Sequence, residues 1–187
     1  SSNYHYPKPK VRNAKLSFAP GGVGPASGIG RIRSGHFPPE VQGRFLSNQL
    51  AGVRATHWFD LKENGNGYKA IRVRPDLLSS TDPYHRPVAM TFGPDGALYI
   101  ADFYSPVIEN TSYPKRHPGR DHLRGRIWRI APKGFKPPKR KLPGEMTSEE
   151  LVAALASPNG WTRDTAARLI YERQEKSVVP ALEKLLA

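Results

Sequence analysis

RPVAMTFGPDGALYIADFY (Arg86–Tyr104), followed by RDHLRGRIWRI (Arg120–Ile130), decides how this chain is read. Val88–Phe92 and Ala97–Ala101 are short apolar runs of strand length. Between them, Gly93-Pro94-Asp95-Gly96 predicts a tight reversal. Gly accepts a positive φ there, and an Asp side chain hydrogen-bonds backbone two residues on. Arg120–Ile130 then supplies a loop and a third strand near 125–131. Strand, turn, strand, loop, strand outlines one blade of a β-propeller, and a blade is not stable in isolation.

Working upstream, strands are expected near 26–33, 43–49, 53–61 and 67–74, with a further one over Val11–Phe18. Glu63-Asn64-Gly65-Asn66-Gly67 separates two of these runs and is a strong hairpin signal. Four antiparallel strands in about 50 residues match one complete blade. The next blade has three strands, near 87–92, 97–102 and 125–131. A propeller often completes its last blade with a strand from the far N-terminus. The expectation is therefore about one and two-thirds blades of a ring that needs at least four. The remaining blades would come from other sequence. The chain opens Ser-Ser-Asn without Met, as a processed or excised portion would.

The fold class expected is mainly β with a C-terminal α part. Residues 1–134 carry the C-terminal blades of a propeller. Residues 135–146 form a basic, proline-rich linker, where paired prolines and clustered lysines disfavour both helix and sheet. Residues 147–187 form a helical repeat. Thr147-Ser148-Glu149-Glu150 reads as a capping box, with Leu151, Val152 and Leu155 on the apolar face behind it. Ser157-Pro158-Asn159-Gly160 breaks that helix. Trp161–Arg173 is a second helix, with Ala166, Leu169 and Ile170 on one side. Ser177 is expected to cap a third, where Pro180 falls harmlessly in the first turn.

Composition narrows the function classes. The 187 residues contain no Cys, which excludes a disulfide framework, a thiolate metal site and a c-type haem attachment motif here. No apolar run approaches the roughly 20 residues needed to span a bilayer, which leaves peripheral membrane association open. The formal net charge of +13 predicts an acidic protein partner. Nucleic acid is disfavoured, because aromatics do not interleave with the basic runs. There is no P-loop and no His-Glu-x-x-His motif. Gly21-Gly22-Val23-Gly24 runs into Pro25 and does not open a helix, so it is no phosphate cradle.

Taken together, PPEVQGRFL (Pro38–Leu46), ENGNGYKA (Glu63–Ala70), the stretch Ser79–Ile108, RDHLRGRIWRI and SPNGWTRDTAARLIYER (Ser157–Arg173) resemble a family of large extracytoplasmic bacterial proteins. These are the planctomycete-type putative membrane-bound dehydrogenases. Their propeller is similar to glucose/sorbosone dehydrogenases and is commonly followed by HEAT repeats and a c-type haem domain. The resemblance implies an extracytoplasmic location, in the periplasm or at the cell surface. It also implies a pyrroloquinoline quinone (PQQ) cofactor with calcium in a complete propeller, and haem c on another segment or partner. This chain departs from the family after Ile108, where Glu109–Tyr113 replaces the usual Gly-His continuation.

Two functions follow as expectations. One is a binding or scaffolding subunit of a larger redox-associated assembly, whose protein partners include the missing blades. The alternative is a PQQ-dependent sugar or alcohol dehydrogenase passing electrons to a c-type cytochrome. For the second, His122 and Asp102 are the candidate catalytic residues, since proton removal from a hydroxyl needs a base. Arg86, Arg124 and Arg126 are the candidate forks for cofactor carboxylates. No metal ligands are assigned. Each residue also has a structural reading: Asp102 as a strand-end cap, Arg86 as an inter-blade ion pair, and His122 as a loop histidine. His57, beside Trp58, reads as packing.

Overall fold

The computed structural model describes residues 26–50, 54–107, 116–137, 139 and 141–186. The expected strand over Val11–Phe18, the Gly21–Gly24 stretch and the Glu109–Tyr113 departure lie outside these residues. Two antiparallel sheets are present. In the first, β1 (Ala26–Arg31), β2 (Phe45–Gln49), β3 (Ala55–Asn64) and β4 (Gly67–Arg72) lie in chain order. A two-residue strand, β5 (Leu78–Ser79), pairs with the start of β3. The second sheet is β6 (Pro87–Phe92), β7 (Leu98–Asp102) and β8 (Arg126–Ile130). Both run as antiparallel meanders, and among the described residues neither closes on itself.

Local sequence explains the reversals. Gly96 sits at φ +82°, its N–H bonds Gly93 O at 3.0 Å, and Asp95 Oδ1 accepts the Ala97 N–H at 3.1 Å. The β3–β4 hairpin closes with Asn64 opposite Gly67, leaving the two-residue turn Gly65-Asn66. Strand β3 therefore runs three residues beyond its expected end at Leu61, because Lys62, Glu63 and Asn64 all find partners on β4.

The sheets stack through β1 and β6. A Cβ on Gly28 (φ +66°) would lie 2.7 Å from Val88 O, so only glycine lets the two backbones approach this closely. The shared core is Ile32, Val41, Leu46, Leu98 and Ile100, with Phe37, Trp58, Met90, Phe92 and Ile130 packed around it. Burying five such side chains is the main term holding the sheets together.

The helical part comprises α1 (Ser148–Ala154), α2 (Gly160–Arg173) and α3 (Val179–Leu186). Thr147 and Glu150 cap α1 reciprocally, as the sequence pattern predicts. Ser177 does not cap α3. It lies inside a 3-10 turn, Lys176–Val178, that leads directly into it. The helices are joined to the sheets by more than chain continuity. The Asn159 amide donates to Gly93 O (3.1 Å) and Pro94 O (3.0 Å) while its oxygen caps α2 at Trp161 N. Gly160 N bonds Arg33 O at 2.6 Å, and Arg33 forks onto Asp164 at 2.8 and 3.0 Å. One end of the sheets, at Arg33 and the β6–β7 turn, is thus covered by helix. The candidate site lies at the opposite end.

Candidate functional site

Strand β7 ends at Asp102, β6 begins at Pro87 and β8 begins at Arg126, so all three place side chains at the same end of the second sheet. Asp102 is the hub. Its Oδ1 accepts the backbone N–H groups of Arg86 (2.8 Å) and Tyr104 (2.9 Å). Its Oδ2 faces His85 Nδ1, Arg126 Nε and Trp128 Nε1, each at 2.9 Å. Five donors use all the acceptor capacity a carboxylate has. Burial alone would raise the Asp102 pKa, but the hydrogen bonds from Arg86, Trp128, His85 and Tyr104 outweigh it and hold the group well below the ordinary carboxylate range.

The surroundings lock this hub. Arg126 also reaches Asp82 Oδ2 at 2.6 Å and lies 4.3 Å above the Tyr104 ring. Tyr104 adopts φ +51°, unusual for a residue with a Cβ, and is held there by its N–H on Asp102 and by stacking on Tyr84 at 5.0 Å. His85 is buried. A ring nitrogen facing a carboxylate carries its proton, and the other, Nε2, is buried with no partner among the described residues.

Four of the five residues picked from the sequence line one open groove of about 580 Å³ at this end of the second sheet: Asp102, His122, Arg124 and Arg126, with Val88, Ala101, Phe103, Asp121 and Ile127. The fifth, Arg86, is not among its lining residues. The Arg86 guanidinium points to the carbonyls of His85 (2.8 Å) and Pro106 (3.2 Å) and, among the described residues, bonds no carboxylate. Burial lowers its pKa, and the nearby Arg54 charge adds to the effect. His122 is exposed, and Arg124 pairs with Asp121 at 3.1 Å.

A second constellation escaped the sequence reading apart from His57 itself. His57 Nδ1 lies 2.9 Å from Asp76 Oδ1, and Arg72 forks onto the same carboxylate at 2.8 and 2.9 Å. Burial lowers the His57 pKa, with the Asp76 charge opposing. Nothing in the sequence placed Asp76 beside His57, because the contact depends on the chain folding back after β4.

These geometries bear on the implied cofactor. A quinone tricarboxylate needs open cationic forks, and calcium needs free oxygen ligands. The Arg126 fork is closed on Asp82 and Asp102, that of Arg86 on two carbonyls, and Asp102 has no lone pair to spare. Among the described residues, no group of three potential ligands converges on a metal position. The described residues do not fit the quinone–calcium pair.

Two stacked antiparallel meanders, the second tied together by a saturated aspartate, with a helical part clamped to their far end, define a mainly β domain with a C-terminal α part. The chain belongs to the family described as a domain of unknown function, DUF7133, which matches residues 3–134. That span ends where β8 gives way to the basic segment, so the helices lie beyond it. No curated protein and no solved structure matches the chain. Among the described residues, no helix is long and apolar enough to cross a membrane.

Proposed function

We propose that this chain is the propeller and HEAT-like portion of an extracytoplasmic, redox-associated protein of the planctomycete dehydrogenase type, and that it binds an acidic protein partner within a larger assembly. The reading rests on where the charge lies. Residues 1–140 carry 23 Lys and Arg against 9 Asp and Glu, whereas 141–187 carry 6 against 7. The sheet aspartates are already spent within the fold: Asp60, Asp76, Asp82, Asp95, Asp102 and Asp121 each pair with an arginine. The positive surplus of the β part is therefore not neutralised internally, and such a field steers acidic surfaces toward it. Two stacked meanders support neighbouring blades, and helix, break, helix supports a HEAT-like unit.

The test is affinity purification of the full-length protein from its own cells at about 50 mM and about 500 mM salt. A defined acidic protein should be retained at the lower salt and released at the higher. A preparation that retains nothing, or whose partner ignores salt, overturns the proposal.

A further inference from the structure

We infer that the acidic partner is held by the basic segment between the sheets and the helices, with Lys133, Lys136 and Lys139 meeting carboxylates on an acidic stretch of its chain. This rests on the binding reading above and adds the surface and the chemistry of the contact. Residues 122–144 hold eight Lys and Arg and no Asp or Glu. The fold spends the arginines leading into and along β8. Arg124 pairs with Asp121, Arg126 with Asp82 and Asp102, and Arg129 with Asp95. Lys141 is used as well, on Glu150 at 2.9 Å. Lys133, Lys136 and Lys139 are exposed, and among the described residues none of them forms an ion pair or a hydrogen bond. Three full charges are thus left to an outside partner, and they sit on a segment that belongs to no strand.

The segment is tethered on both sides. Upstream, Phe135 N donates to Pro132 O at 3.0 Å around Gly134 (φ +76°), and the Phe135 ring packs edge-on against His36 at 4.1 Å. Downstream, Pro143 is buried and Leu142 N donates to Glu145 Oε2 at 3.1 Å. Lysines displayed from a tethered segment lose less freedom on binding than lysines of a free tail. The chemistry favours carboxylates. A single-stranded nucleic acid needs rings to stack on, and the one ring between residues 133 and 142 is Phe135, already packed on His36. A bilayer needs apolar area to anchor in, and among the described residues Leu142 is the one large exposed hydrophobic side chain of this stretch. Lysine is a compact, hydrated charge, so the contact is exchangeable and salt-sensitive.

The test uses the full chain and an octaglutamate peptide at low salt. The triple variant Lys133→Gln, Lys136→Gln, Lys139→Gln removes only exposed, unpartnered charges and so should fold. It should bind the peptide about tenfold more weakly. The matched variant Lys62→Gln, Lys69→Gln, Lys184→Gln removes the same charge from exposed positions elsewhere and should lose no more than about twofold. Replacing the three segment lysines by Arg should restore the affinity. Equal losses in the two Gln variants would show that net charge alone attracts the peptide; they overturn this site and leave the acidic-partner reading standing. So does tighter binding of a single-stranded oligonucleotide of the same charge, or of phosphatidylserine vesicles, if the segment variant abolishes it. Failure of the natural chain to bind the peptide overturns the site too, and the salt-dependent purification then decides the partner reading by itself.

Discussion

Each sheet holds a buried histidine against an aspartate, and the two pairs are built differently. In the second sheet Asp102 is fully buried at its side chain and collects donors from the segment leading into β6, from β8 and from the segment after β7, so one carboxylate ties three pieces of chain. In the first sheet Asp76 is held by Arg72 four residues earlier and by His57 on β3, with the exposed Arg74 as a third neighbour. Asp102 makes long-range connections, whereas Asp76 makes mostly local ones. The same residue pair is therefore a keystone in one sheet and a loop clasp in the other.

Asp102→Asn should show the difference most strongly. It removes the negative charge between Arg126 and His85 and leaves buried donors facing an amide, a change expected to cost about 3–5 kcal/mol. Urea unfolding should report it, with exchange protection lost across β6, β7 and β8 together. A loss under about 1 kcal/mol would mean the hub is not a keystone. Asp76→Asn removes charge-assisted bonds worth about 1.5–3 kcal/mol. Its exchange effects should stay within β3, β4 and the β4–β5 connection. If protection falls equally in both sheets, the contrast between the two pairs fails.

The contrast also explains what could be read in advance. Seven strands were legible because their apolar runs are flanked by turn residues with a mechanism, as at Asp95-Gly96 and around Gly65. Strand β5 was not, because Leu78-Ser79 has no period of its own and pairs only once β3 is in place. Asp102 was legible because it ends an apolar strand, where a carboxylate needs a reason to be present. Its donor Trp128 and the second aspartate on Arg126, Asp82, were not, since Trp128 sits at strand spacing and Asp82 in a polar loop. Asp76 gave no signal at all. The docking of the helices was equally hidden: Asn159 reads only as part of a helix break, and the fold shows it capping α2 while its amide holds the β6–β7 turn.

Acid should separate the pairs further. The folded-state pKa of His57 lies below its ordinary value, so below about pH 6.5 the unfolded chain takes up a proton before the folded one. Stability held above that pH is then lost as pH falls toward the folded value. Asp76 and Asp102 are both depressed, so their contribution is complete above about pH 4 and is lost only below it. Stability plotted against pH should show a shoulder on the acid side of about 6.5 and a steeper fall below about 4. His57→Gln should abolish the shoulder alone. A shoulder that survives the substitution would assign it to another group.

The smallest effects give the finest discrimination. Trp128→Phe deletes one neutral donor to Asp102 and keeps most of the ring. Because the orphaned oxygen still has two other donors, the loss should be about 0.5–1.5 kcal/mol. Arg74→Ala deletes a charged partner of Asp76, which by charge alone looks the larger change. Yet the Arg74 side chain is 66% exposed and its contact is the longest of the three around Asp76, at 3.2 Å. Solvent screening and side-chain entropy should reduce its worth to about 0–0.5 kcal/mol. A neutral indole should therefore matter more than a full positive charge, and the reverse order in thermal or urea unfolding would show that charge count, rather than burial and connectivity, governs both sites.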